Sequence, residues 1–388
     1  MSALRYMTAG ESHGPCLTGI IEGIPAGLRL DLTAINAALA KRQKGYGRGD
    51  RMKIESDTAE ILSGVRFGET LGSPITVMIK NRDFANWTER MAAFGAADAA
   101  EKVTAARPGH AELAGVLKYN RRDVRDILER SSARETAMRV ALGEIARQFL
   151  EACGVVISSR VTEIGGVKVS LTANDVIDEE LNCADKAAAT KMKELIDAVK
   201  TAGDTVGGKF IVTATNLPVG LGSHIQYDRR LDAKLAAALM SIQAMKAVEI
   251  GAGCECARLL GSKVHDEIYL NENGAIKRKT NNAGGLEGGM TNGEPLVIAA
   301  VMKPIPTLMK PLDTINIENG QAVSAAKERS DVCAVPAASV VGEAMTALTL
   351  AEAILDKFGG DALADTLAAV NAYRERVKHS LPTDGQKR

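Results

Sequence analysis

Between Ser132 and Gly154 the chain repeats apolar residues at helical spacing, with Met138, Leu142, Ile145 and Phe149 on one stripe. Ser132 and Glu135 read as an S-x-x-E capping box and Gly154 as the stop, so the pattern predicts a helix across this span. A second long helix is expected from Asp228 to Gly251, carried by Leu231, Leu235, Leu239 and Ile242, with many alanines for close packing. Two more follow, one opened by Pro336 and stopped at Gly359, the other in DALADTLAAVNAYRERVKH. Short apolar runs bounded by Gly or Pro read as strands: LTGIIEGIP, SPITVMIKN, GVVISSRVTEIGGVKVS, GKFIVTATNLP and EPLVIAAVMKP. Their order lacks regular βαβ alternation, which favours an α+β fold of long helices against largely antiparallel sheets. Residues 171–206 are rich in Lys, Asp, Glu and Ala and read as a peripheral helical insertion, and residues 381–388 as a frayed tail.

Composition adds exclusions. Lys plus Arg equals Asp plus Glu at 48 each, so no overall field draws the chain to nucleic acid or an anionic membrane, and any anion preference is local. The N-terminus lacks the apolar core of a signal peptide and no apolar run reaches the length of a membrane span, which makes the cytoplasm the expected location. Six cysteines without a CxxC pair read as reduced thiols, Cys254 and Cys256 as small buried residues. Aromatics are 3%, too few for a stacking platform, so a bound ring would rest mainly on aliphatic side chains and backbone.

The candidate chemistry lies in loops that combine Gly with Arg, Lys or His. GESHGP sets His13 in a Gly-flanked turn, and RPGHAE presents His110 after a Pro-Gly turn beside Arg107 and Glu112. KRQKGYGRGDRMK carries Arg42, Arg48 and Arg51, and its glycines have the wrong spacing for a dinucleotide fingerprint. A solvated basic loop is an equally good reading of it. In RSSARE, Arg130, Ser131, Ser132 and Arg134 surround a helix start, where free N–H groups attract an anion. NNAGGLEGGMTNGEP has too many glycines for regular structure and is expected to be approached closely by another group, for which a flavin or nucleotide phosphate would fit. KPIPTL stiffens Lys303 and Thr307, and RSDVCAVPAA places Arg329, Ser330 and Asp331 before a helix.

GESHGP, GRGDRMKIESD, RPGHA, LERSSARETA, GGLEGGMTNGEP, KPIPTL and RSDVCAVPAA, in that order across residues 10–340, together resemble the chorismate synthase family. The resemblance implies a carbon–oxygen lyase acting on phosphates. Its reaction is the anti 1,4-elimination of phosphate and the C6 proton from 5-enolpyruvylshikimate 3-phosphate, giving chorismate. This is the final step of the shikimate pathway and a route to aromatic amino acids. The family needs reduced FMN without net redox change; NADPH as reductant of the flavin is left open. A homotetramer, a β-α-β sandwich and one domain over residues 1–388 are also implied, which replaces the two or three domains suggested by length.

Carried over residue by residue, the resemblance makes His13 a general acid for the leaving phosphate, and sets His110 near the flavin pyrimidine edge. Asp331 and Ser12 would serve proton traffic at the flavin. Arg42, Arg48, Arg107, Arg134 and Arg329 would hold the trianionic substrate, and anions bound there would favour protonated imidazoles. Flavin contacts map to Arg130, Ser131 and Ser132, to Gln243, Ala244 and Gly288, to Lys303, Pro304, Ile305, Pro306 and Thr307, and to Arg329. Glu112 stands where the family usually has Asp. Two other readings compete: a flavin-dependent oxidoreductase with net hydride transfer, which would consume NAD(P)H stoichiometrically, and an anion-binding scaffold, which would tolerate loss of both histidines.

Overall fold

The computed structural model describes residues 4–49, 56–95, 102–170, 178–272, 274–328 and 330–378. Two antiparallel sheets carry the architecture. The first holds β1 (Arg5–Ala9), β2 (Cys16–Glu22), β3 (Ala59–Ile61) and β4 (Ile75–Lys80) in the order β1-β2-β4-β3. The second holds β5 (Val156–Ile164), β6 (Val167–Lys168), β7 (Gly208–Thr215), β8 (Met245–Ile250) and β9 (Leu296–Met302) in the order β8-β9-β7-β5-β6. β4 and β7 alternate buried and half-exposed positions, as expected of strands with one face on the core.

The helices are α1 (Leu32–Gln43), α2 (Glu112–Tyr119), α3 (Arg125–Ser131), α4 (Thr136–Ala152), α5 (Lys186–Thr201), α6 (Leu231–Met240), α7 (Val335–Phe358) and α8 (Leu363–Lys378). α4 packs on β2 and β4 of the first sheet and on α7; α7 packs on β5 and β7 of the second. Missing side chains permit these approaches. A Cβ on Gly143 of α4 would lie 2.4 Å from the Ala344 Cβ, and one on Gly342 would lie 2.6 Å from the Phe210 ring. α7 is apolar and long enough to cross a membrane by composition, which corrects the expectation that no segment comes near that length, but 94% of its most apolar window is buried inside the protein.

Several local expectations need correction. The helix expected from Asp228 to Gly251 ends at Met240; after a turn in which Ala244 takes φ +66°, the chain becomes β8, because β-branched Val248 and Ile250 pair with the edge of β9. The capping box at Ser132 forms only in part. Ser132 Oγ accepts the Arg134 N–H at 3.3 Å, but Glu135 turns to Gln243 and Arg139, leaving a single 3-10 turn before α4. All six cysteines are free, yet Cys254 is exposed and not buried, since it sits in a surface turn beyond β8. The glycine-rich stretch folds against its own chain: Cβ atoms on Gly284 and Gly285 would meet Gly251 and Pro295 backbone at 2.3 and 2.6 Å. Those glycines therefore answer to neighbouring backbone and need no phosphate to explain them. α5 supplies the helix of the 171–206 segment and buries Met192 and Ile196; residues 171–177 and the 381–388 tail lie outside the described residues.

Candidate active site

His13 sits on the turn joining β1 to β2. Gly10 enables that turn at φ +105°, where a Cβ would lie 2.4 Å from the Cys16 carbonyl oxygen. Asn81 fixes it, its amide donating to the Glu11 and Gly14 carbonyls at 3.0 and 2.7 Å. Ser12 N–H donates to the Glu129 carbonyl on α3 at 3.0 Å, and the Ser12 hydroxyl bonds that of Ser132 at 3.1 Å. The imidazole is buried, stacked on Trp87 with ring centroids 4.0 Å apart.

A second wall is the loop after α1. Gly47 and Gly49 let it lie against residues 330–333: Cβ atoms there would sit 2.9 Å from Ile196 of α5 and 2.8 Å from the Ser330 carbonyl. Val332 N–H donates to the Gly47 carbonyl at 2.8 Å, and Gly49 N–H donates to Asp331 Oδ1 at 2.7 Å. Asp331 Oδ2 pairs with Arg48 at 3.0 Å. Glycine here serves contact between two chain segments, a purpose the sequence alone did not distinguish from anion binding.

Buried carboxylates hold two of the arginines. Arg134 bonds Asp57 at 2.6 and 2.7 Å and the Asn81 oxygen at 3.0 and 2.8 Å. Arg107 grips Glu112 through its guanidinium and through its backbone N–H at 2.7 Å, and donates to Thr307 at 2.6 Å. Burial opposes ionisation of Glu112, but the nearby His110 ring and the Arg107 guanidinium and backbone N–H prevail and bring its carboxyl down to about 2. His110 Nδ1 lies 3.3 Å from Glu112 without an aligned hydrogen bond. Arg42 donates to Thr136 and the Ala133 carbonyl, while its buried Nη1 has no hydrogen-bond partner among the described residues and stands 3.9 Å from Asp57. Burial lowers Arg42 to about 10, with Asp57 opposing that shift.

These groups surround one cavity of about 460 Å³, within the usual range for small-molecule sites. His13, His110, Asp331, Ser12, Arg42, Arg48, Arg107 and Arg134 all line it, as do Ser131, Ser132, Gln243, Ala244, Lys303, Ile305, Pro306 and Thr307. An apolar side is formed by Ile242, Met302, Ala334, Ala337, Ala338 and Val341. Arg130 is not in the lining; its guanidinium binds the Thr8 and Gly10 carbonyls. Pro304 is absent from the lining too, and Gly288 lies in the tight turn between Leu286–Glu287 and Met290–Thr291. Arg329 and Arg51 lie outside the described residues.

A profile of the chorismate synthase family matches residues 4–355. The chain belongs to the chorismate synthase family. The chorismate synthase of Geobacter metallireducens is 56% identical to it over 97% of this chain and 99% of that protein. The chorismate synthase of Trichlorobacter lovleyi is 57% identical over 93% and 96%. A crystal structure of chorismate synthase superposes with a TM-score of 0.77 at 44% identity, covering 97% of this chain and 98% of the other. Sequence reasoning about the family overlooked Glu129, Asp57, Asn81 and Trp87. Glu129 and Asp57 stand inside the LERSSARETA and GRGDRMKIESD blocks, but the partner of a buried carboxylate has no signature in one sequence. Trp87, the sole tryptophan, was the available signal for the fourth.

Proposed function

We infer that the chain catalyses the 1,4-elimination of phosphate and the C6 proton from 5-enolpyruvylshikimate 3-phosphate to give chorismate. The carrying observation, beside family membership, is the convergence of two imidazoles with Arg42, Arg48, Arg107 and Arg134 on one cavity. A trianionic substrate needs such a cationic wall, because each anion taken from water must gain charged hydrogen bonds in return. Arg42 has a buried N–H without a partner among the described residues, which suits an anion that would complete it.

Reduced FMN fits the same cavity. The aliphatic side from Ile242 to Val341 suits an apolar ring face, and the buried Gln243 Oε1, which lacks a hydrogen-bond partner among the described residues, suits a ring N–H. Lys303, lowered by burial and by Lys246, is held by the Gly109 carbonyl at 2.5 Å, and with Ser131, Ser132 and the 305–307 backbone would hold the cofactor's polar groups. When bound, the reduced flavin supplies an electron-rich ring that permits elimination without net redox change. His13 donates a proton to the departing phosphate oxygen, and His110 holds a proton at the cavity wall. Asp331 and the Ser12 hydroxyl accept and pass on the proton that leaves C6. Arg107 and Arg134, locked by Glu112 and Asp57, present fixed N–H edges and need no reorganisation during the reaction.

The packing of α4 and α7 against each other and each against one sheet supports a β-α-β sandwich, and one hydrophobic cluster running from Leu4 to Val370 supports a single domain. We propose further that the protein works in the cytoplasm as a homotetramer, with no nucleic-acid or membrane partner.

The test is an anaerobic assay with reduced FMN that follows phosphate release and chorismate absorbance. His13→Ala and His110→Ala should each lose roughly 10²- to 10⁴-fold in rate, the span of general acid catalysis. NADPH should be needed only in catalytic amounts; stoichiometric consumption would point to the hydride-transfer alternative, unchanged turnover in both variants would reject the roles given to the two histidines, and anion binding without any turnover would point to a scaffold.

A further inference from the structure

His13 has a partner to which no role has so far been given. Glu129, on the last turn of α3, is buried and takes two N–H groups from this one residue. Its Oε2 accepts the His13 backbone N–H at 2.8 Å, and His13 Nδ1 lies 2.9 and 3.0 Å from Oε1 and Oε2. Trp87 covers a face of the imidazole, with the two planes 25° apart. The Nε2 atom has no protein partner among the described residues, and His13 lines the cavity.

We propose that Glu129 is the positioning residue that sets the tautomer and the aim of His13. An ionised carboxylate only accepts hydrogen bonds, so the nitrogen it faces must carry a proton. Nδ1 is thereby fixed as N–H, and Nε2 is the nitrogen left to exchange a proton with whatever fills the cavity. Burial opposes the charge on Glu129, but bonds from His13 and from Arg125 hold its carboxyl below the usual range. Arg125 reaches Glu129 at 3.0 Å, lies over the Trp87 ring at 4.9 Å and binds Glu328 at 3.2 Å. Other charged groups around the turn are Glu11, two residues away, Arg130, whose guanidinium binds the Gly10 carbonyl, Arg90, over the Trp87 ring at 5.7 Å, and Arg134, which reaches the turn through neutral Asn81. The Glu129 carboxylate at one edge and the Trp87 ring on one face thus hold the imidazole from two directions.

A Glu129→Gln variant separates this from a packing role. The amide has a single acceptor oxygen, while the His13 backbone N–H cannot be withdrawn. The oxygen therefore stays with the backbone and the NH₂ takes the Oε1 place 2.9 Å from Nδ1, which favours the Nε2–H tautomer. The assignment rests on the elimination reading only for its kinetic arm. Imidazole ¹⁵N spectra of the full chain, with His13 assigned by the His13→Ala variant, should show Nδ1–H in the wild type and Nε2–H in Glu129→Gln. Turnover should fall roughly 10²-fold or more with KM within about threefold, the mark of an interaction made mainly in the transition state, and Glu129→Asp should recover Nδ1–H and part of the rate. A wild type whose Nδ1 carries no proton, or a Glu129→Gln variant with wild-type tautomer and rate, would overturn it. Should Glu129→Gln fail to fold, the wild-type spectrum decides alone. A wild type with Nδ1–H but no lyase turnover upholds the pairing and removes the function proposed above.

Discussion

The cavity uses its carboxylates as tethers for cations, and Glu112 is the sharpest case. It is fully buried, and both its oxygens are taken by Arg107. Removing its charge leaves the Arg107 guanidinium buried without its counterion, so Glu112→Gln should cost about 3–5 kcal/mol in denaturant unfolding at neutral pH. The sign with pH follows from the depressed carboxyl. The native state binds the proton less readily than the unfolded chain, so the stabilisation is present above about pH 4.5 and is lost as pH falls toward about 2. Wild type should therefore lose roughly 3 kcal/mol across that window, and Glu112→Gln should lack that loss; equal acid limbs in the two proteins would refute it. At this scale the sequence was informative about the cations and about Glu112 and Asp331, which stand in the same kind of motif, and silent about the other anchors. His13, His110 and Arg107 advertise themselves in Gly and Pro turns, whereas Asp57 and Glu129 look like any surface acid until the fold buries them.

Helices α4 and α7 meet through small residues, and that contact also faces two carboxylates toward each other. Glu144 is raised to about 7, first by burial and further by Glu151 and Glu343, against the pull of Arg147. An acid whose folded form holds its proton more tightly contributes stability below about pH 4.5 that is lost as pH rises through about 7. Glu144→Gln should accordingly raise Tm at pH 8 and change it little at pH 4, measured by thermal unfolding. Gly143→Ala tests the helix contact itself. Its new Cβ would meet Ala344 at 2.4 Å with backbone close behind, so a loss of roughly 1–3 kcal/mol is expected. The long periodic elements were legible for this reason: α4 and α7 bury wide apolar stripes that local spacing records. The end of α6 was not, because Leu231, Leu235, Leu239 and Ile242 continue in helical register into residues that β9 draws into a strand.

Across the whole molecule the formal charge is zero, yet the cavity gathers Arg42, Arg48, Arg107, Arg134 and Lys303. A ligand held only by the folded cavity should stabilise the entire chain by mass action, by about 2.7 kcal/mol at a hundredfold excess over Kd. Adding reduced FMN or the trianionic substrate should raise Tm, and His13→Ala should keep most of that increment, since it retains the guanidinium wall. The seam between residues 47–49 and 330–333 has one more consequence, for biosynthesis. Asp331 meets Gly49 across 282 positions of sequence, so a growing polypeptide leaves the ribosome with its first histidine and first arginines already made but no wall to close them in. A polypeptide that ends before residue 358 also lacks the full length of α7, on which α4 and the second sheet pack, so the walls of the cavity can close only after that helix has been made.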